Sequence, residues 1–135
     1  MKSRFINLIV IVGITLSGFG CAQAQDSTTG NQRNVSAAQV ESLIANDKAL
    51  VILDVRTPEE FAAGHVAGAE NLNFYAPDFE QQLSRLDTAQ TYLLYCASGN
   101  RSGKTALQMQ TKGFKKVINS TAGFNELKQT QVPLN

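Results

Sequence analysis

From Ser36 onward the apolar residues fall into two rhythms. Over Ser36 to Asp47, Val40, Leu43 and Ile44 stand at i, i+3, i+4 spacing, which predicts an amphipathic helix, and Ser36 and Gln39 have capping-box spacing. Ala49 to Leu53 is a continuous apolar run ending at Asp54, as expected of a strand buried on both faces. Thr57-Pro58-Glu59-Glu60 starts a short helix. Thr57 can cap it, Pro58 fits the first helical position, Glu60 sits at the capping-box distance and Gly64 ends it. Gly68 to Leu72 turns into a short strand, and Asp78 to Leu86 reads as a helix with Phe79, Leu83 and Leu86 on one side. Thr91 to Tyr95 is a second buried strand, followed by a loop over Cys96 to Arg101. Ser102 to Lys112 reads as a helix offering Ala106, Leu107 and Met109 to the core, with Gly113 as its stop. Lys116 to Ile118 reads as a strand and Gly123 to Lys128 as a last short helix. Strands alternating with helices predict an α/β fold, a parallel sheet covered on both faces.

The first residues follow another pattern. Lys2 and Arg4 precede an apolar stretch from Phe5 to Leu16, which is shorter than the ~20 residues a spanning helix needs. Ala22-Gln23-Ala24 then supplies an A-x-A cleavage pattern, so residues 1–24 read as a secretory signal peptide. Cys21 resembles the lipidated cysteine of bacterial lipoproteins. The preceding Gly18-Phe19-Gly20 lacks the Leu and the small residue preferred at the first two of those positions, which favours cleavage after Ala24. The protein is therefore expected to be exported, most simply to a periplasm, and to meet a membrane only if Cys21 is lipidated. Residues 25–34 contain no apolar side chain and read as a flexible linker, leaving 35–135 as one folded domain.

A length of 135 residues fits a single domain. Hydrophobic residues make up 43% and charged residues 17%, which argues against global disorder. A net charge of +1 offers no basic excess for nucleic acid. Two cysteines and one histidine cannot build a disulfide scaffold or a four-ligand zinc site. Cleavage discards Cys21 and lipidation consumes its thiol, so Cys96 is the one free thiol of the mature chain. An unpaired cysteine in an exported protein flags reactivity.

The candidate chemistry lies in Tyr95-Cys96-Ala97-Ser98-Gly99-Asn100-Arg101-Ser102, a strand end, a loop and a helix start. Ligands of open α/β sheets bind beyond the carboxyl ends of strands. A helix N-terminus presents free N–H groups and positive potential, which bind anions and lower a thiol pKa. Gly99 permits a positive φ that curls successive amides around one point, and Arg101 adds a permanent charge with a fork of donors. Ala97, Ser98, Gly99, Asn100, Arg101 and Ser102 are accordingly the candidate substrate-binding residues around the nucleophile Cys96. A buried structural cysteine, with Gly99 and Asn100 merely making a turn, would explain the strand-loop-helix setting, but Arg101, the glycine and the lone thiol together favour the catalytic reading.

The motif Cys96-Ala97-Ser98-Gly99-Asn100-Arg101-Ser102 resembles the active loop of the rhodanese family. So do Asp54-Val55-Arg56, Glu60-Phe61, Gly64-His65-Val66-Ala67-Gly68-Ala69 with Asn71, and Gly113-Phe114. The resemblance runs from about Val35 to Leu134. It implies a parallel five-stranded sheet with helices on both faces. It also implies transfer of sulfane sulfur, from thiosulfate or a similar anionic donor, through a Cys96 persulfide to a thiol or cyanide, with a protein acceptor as a further option. Neither a metal nor an organic cofactor is implied. The chain departs from the family pattern at Ala67, commonly proline, and at Ala122-Gly123 and Leu127, where two glycines and a tryptophan are usual. Asp54 and Arg56 are expected to support neighbouring loops as an ion pair, with Glu60 as a possible partner. His65 is expected to be structural, Arg85 solvated, and Lys112, Lys115 and Lys116 a surface patch.

Two other functions fit less closely. A persulfide carrier or partner-binding module would share the loop but turn over small molecules poorly. A phosphatase or arsenate reductase would place arginine six positions after the cysteine, whereas Arg101 lies five after Cys96, making this loop one residue too short for a tetrahedral oxyanion.

Overall fold

The computed structural model describes residues 28–29 and 31–135. The expected signal peptide, Cys21 and the start of the expected linker lie outside them. In chain order the elements are β1 (Thr28–Thr29), β2 (Gln32–Val35), α1 (Ala37–Asn46), β3 (Val51–Asp54), α2 (Pro58–Ala62) and β4 (Glu70–Asn71). They continue with α3 (Phe79–Ser84), β5 (Thr91–Tyr95), α4 (Asn100–Thr111), β6 (Lys116–Ser120) and α5 (Phe124–Leu127). The sheet order is β1-β2-β6-β5-β3-β4. The five strands β2, β6, β5, β3 and β4 are mutually parallel, and β1 adds a two-residue antiparallel edge.

Local chemistry explains the boundaries. Ser36 and Thr57 cap α1 and α2, and Gln39 and Glu60 return the hydrogen bond in each capping box. Successive residues of a strand face opposite sides, so the apolar runs fill two cores at once. Tyr92, Leu94 and Cys96 face the core under α3 and α4 with Leu53, Phe79, Leu83 and Met109. Leu93 and Tyr95 face the other core, with Val40 of α1 and Phe124 and Leu127 of α5. Cys96 therefore directly follows a central strand and is rooted in the α4 side.

Two expectations are corrected. Gln32 to Asn34, read as flexible linker, belongs to β2, which runs parallel to β6 through Gln32–Val117, Arg33–Ile118 and Asn34–Asn119. An outer strand needs few apolar side chains because its backbone bonds attach it, and the Asn119 side chain also donates to Asn34 Oδ1 at 3.0 Å. Leu107, expected in the core, is 58% exposed. The buried stripe of α4 is Ser102, Thr105, Ala106 and Met109, which leaves Leu107 on the opposite face.

Candidate active site

β5 delivers Cys96 to the carboxyl end of the sheet, and α4 begins four residues later. Gly99 occupies the left-handed region at φ 85°, and its N–H donates to Cys96 Sγ at 3.1 Å. Burial pushes the thiol pKa up. Hydrogen bonds from the Ser102 side chain and from the amides of Ser102, Ser98 and Gly99 outweigh that, so the net shift is below the ordinary 9.0. The Ser102 hydroxyl has one proton, which it gives either to the Gly99 carbonyl 3.2 Å away or to the sulfur.

The segment 121–124 backs this loop. A Cβ on Gly99 would stand 2.9 Å from the Thr121 carbonyl oxygen, and one on Gly123 would stand 1.9 Å from that of Ala97. The Phe124 N–H donates to the Cys96 carbonyl at 2.9 Å. Of the two positions where the rhodanese pattern has glycines, only Gly123 meets the loop so closely, and Ala122 packs into the core. Leu127, in the usual tryptophan position, is fully buried there too.

Beyond the loop opens a pocket of about 410 Å³. Thr57 and Glu60 wall it from α2, and Phe74 and Tyr75 from the β4–α3 connection. Ser98, Asn100, Arg101 and Lys104 close the other side. Cys96 has no exposed surface and lies beneath this loop rather than in the pocket wall.

The two arginines have different tasks. Arg56 is buried on Asp54, with Nε 2.9 and 3.0 Å from the two carboxylate oxygens and a terminal nitrogen 2.6 Å from Oδ2. Glu60 does not join that pair. It grips Arg101, whose two terminal nitrogens donate to Oε2 at 2.8 Å and Oε1 at 2.9 Å, while the Thr57 N–H donates to Oε2 at 2.9 Å. The guanidinium fork that the motif offers to an anion is thus engaged by Glu60, which serves the α2 cap and the loop together. The Arg101 hydrogen bonds hold the Glu60 carboxyl down at about 2, against a smaller upward push from burial.

A depressed carboxyl stabilises the fold fully above its unfolded pKa, and the contribution fades as pH falls towards the folded one. Arg101→Ala should therefore return Glu60 towards its ordinary 4.5, read by NMR titration of the carboxyl. The melting temperatures of wild type and variant should converge as pH drops from 5 towards 2. A Glu60 midpoint still near 2 in the variant would show that Arg101 does not hold it.

The remaining candidates lie elsewhere. The His65 Nδ1–H donates to the Phe61 carbonyl at 2.9 Å, and its ring stacks on Phe61 with centroids 3.7 Å apart. Arg85 is exposed at the end of α3. Lys112 pairs with Glu80 at 2.9 Å, while Lys115 and Lys116 border an open depression at the other end of the sheet.

The family model of the rhodanese-like domain matches residues 36–130. The chain belongs to the rhodanese family. Among rhodanese relatives, thiosulfate sulfurtransferase 16 of Arabidopsis thaliana chloroplasts is 32% identical over 120 residues, covering 82% of this chain and 97% of that protein. A putative sulfur carrier protein of Bacillus subtilis is 32% identical over 92 residues, covering 68% of this chain and 49%, about half, of that protein. The rhodanese-like domain of an Anabaena protein, solved by NMR, superposes with a TM-score of 0.66 at 22% identity, covering 76% of this chain and 77% of that one. The rhodanese fold carries Phe74, Tyr75 and Lys104 into the pocket, and none of them lies in the quoted motifs. Lys104 alone had a sequence signal, standing one turn after Asn100 on the helix that follows the loop.

Proposed function

We propose that this rhodanese is a sulfurtransferase that takes sulfane sulfur from thiosulfate or a similar donor onto Cys96 and passes it to a thiol or cyanide. The observation that carries the reading is the Cys96 sulfur at the head of α4, accepting the Gly99 N–H at 3.1 Å. The Cys96 thiolate attacks the outer sulfur of thiosulfate. The sulfur–sulfur bond of the donor breaks, its electron pair leaves with sulfite, and Cys96 carries the persulfide. An acceptor thiolate or cyanide then attacks the terminal sulfur, and the electron pair of the broken bond returns to Cys96. The amides from Ala97 to Ser102 offset the negative charge at each stage, and the Glu60 clamp holds the loop in register. Cys96 has no exposed surface, so each half-reaction requires access to the sulfur past the loop. Slow thiosulfate turnover beside ready persulfide formation would assign a carrier role instead.

We further propose that the protein is exported. The support is the Lys2–Arg4 start, the Phe5–Leu16 apolar run and the Ala22-Gln23-Ala24 exit. Intact-mass measurement of the secreted protein, before and after thiosulfate, tests both proposals. The expected result is an N-terminus at Gln25 and the gain of one sulfur atom, lost again on adding cyanide. A diacylglyceryl group on Cys21 would overturn the cleavage, and absence of the sulfur adduct would overturn the transfer.

A further inference from the structure

We infer that Lys104 is the cation that selects anionic sulfur compounds at this pocket, an inference that rests on the sulfurtransferase reading and names its substrate class. The pocket wall holds three charged side chains, Glu60, Arg101 and Lys104. Both terminal nitrogens of Arg101 lie on the Glu60 carboxylate, so that pair presents little net charge to an incoming molecule. Arg56, the other cation nearby, is buried on Asp54. Lys104 forms no ion pair among the described residues and is exposed. It lies one turn after Asn100 on the same face of α4 and lines the pocket, and a long helical side chain leans back towards the helix N-terminus, the direction of the loop. The positive end of α4 adds to it. Phe74 and Tyr75 opposite supply apolar walls, and the 410 Å³ of space exceeds what a thiosulfate ion fills, so a larger anionic thiol fits as acceptor.

A flexible ammonium at a pocket rim acts through long-range attraction, so its effect fades with salt. The test compares alkylation of Cys96 by iodoacetate and by iodoacetamide in the wild type, Lys104→Gln, Lys104→Glu and a control, Lys115→Glu, at the far end of the sheet. Both reagents need the same access to the sulfur and the same thiolate, so their rate ratio isolates the charge at the site. Lys104→Glu should lower the iodoacetate-to-iodoacetamide ratio about three- to five-fold at low ionic strength, and kcat/KM for the dianion thiosulfate about ten-fold. Lys104→Gln should fall between, Lys115→Glu should match the wild type, and all differences should shrink near 1 M salt, where the screening length is about 3 Å. An unchanged ratio in Lys104→Glu, or an equal drop in Lys115→Glu, would overturn the inference. A lowered ratio in a protein that gains no sulfur from thiosulfate would uphold Lys104 as the selecting cation and sink the sulfurtransferase reading instead.

Discussion

Cys96→Ser should form no persulfide and turn over no thiosulfate, leaving only background rates, while the domain stays folded. The serine hydroxyl can accept the Gly99 N–H that lies 3.1 Å from the sulfur, so the loop keeps its anchor. What is lost is chemical: a hydroxyl has neither the nucleophilicity of a thiolate nor an accessible pKa, and no histidine is placed at the loop to activate it. Mass spectrometry after thiosulfate reads persulfide, and circular dichroism reads folding. The wild-type thiol adds a pH signature. Alkylation by iodoacetamide should rise with a midpoint below 9.0, because the Ser102, Ser98 and Gly99 hydrogen bonds favour the thiolate. A thiol with a depressed folded pKa stabilises the fold fully above its unfolded pKa and loses that contribution as pH falls through the folded value. The stability of wild type relative to Cys96→Ser should therefore increase as pH rises towards 9. Turnover retained by Cys96→Ser would remove this residue from the reaction.

Much of the frame is written in local pattern. Thr91–Tyr95 is a mostly apolar run bounded by a loop, and the strand has those limits, with all but Thr91 buried. Ser36 with Gln39, and Thr57 with Glu60, announce their helices because a capping box is closed by residues three apart. The Cys96 loop is legible for the same reason: its anchors, from Gly99 to Ser102, are within six residues of the thiol. What escaped the sequence depends on distant parts of the chain. Glu60 and Arg101 are 41 residues apart, and the capping role of Glu60 gives no hint of its second partner. β2 reads as linker because its polar composition carries no apolar alternation, whereas its attachment to β6 is through backbone. Gly123 resembles an ordinary helix-start glycine, and only the Ala97 carbonyl pressed against it shows why a side chain is excluded. Leu107 stands one residue out of phase with a stripe that uses Ser102 and Thr105 as buried positions, polar residues that blur the hydrophobic period.

Asp54→Ala should cost about 3–5 kcal/mol of stability, the range for removing one partner of a buried ion pair. The carboxylate is the hub of a closed network. It receives the Arg56 backbone N–H at 2.9 Å, the Arg56 guanidinium through Nε and a terminal nitrogen, and the Tyr95 hydroxyl at 2.6 Å. Tyr95 in turn accepts the Val66 N–H at 3.1 Å, and Arg56 reaches the Gly64 carbonyl at 2.7 Å, so the turn after α2 hangs from the same hub. Without Asp54, the guanidinium remains buried against the Phe124 ring, 4.0 Å from its centroid, with only the Gly64 carbonyl and the neutral Tyr95 side chain beside it and no counter-charge. At roughly 4–8 °C per kcal/mol for a domain near 100 residues, the melting temperature should fall by more than about 12 °C. The cost comes from the stranded charge rather than from the lost attraction, which gives the second half of the prediction. In the double variant Asp54→Ala with Arg56→Met, the charge is gone and an apolar chain lies along Phe124, so the double variant should be more stable than Asp54→Ala alone. Chemical denaturation of the two single variants and the double variant measures this coupling directly. A loss below about 1 kcal/mol for Asp54→Ala, the scale of an exposed pair, would show that water reaches Arg56 and that the hub is no buried pair. A double variant less stable than Asp54→Ala would show that Arg56 supports the Gly64 turn without needing its carboxylate.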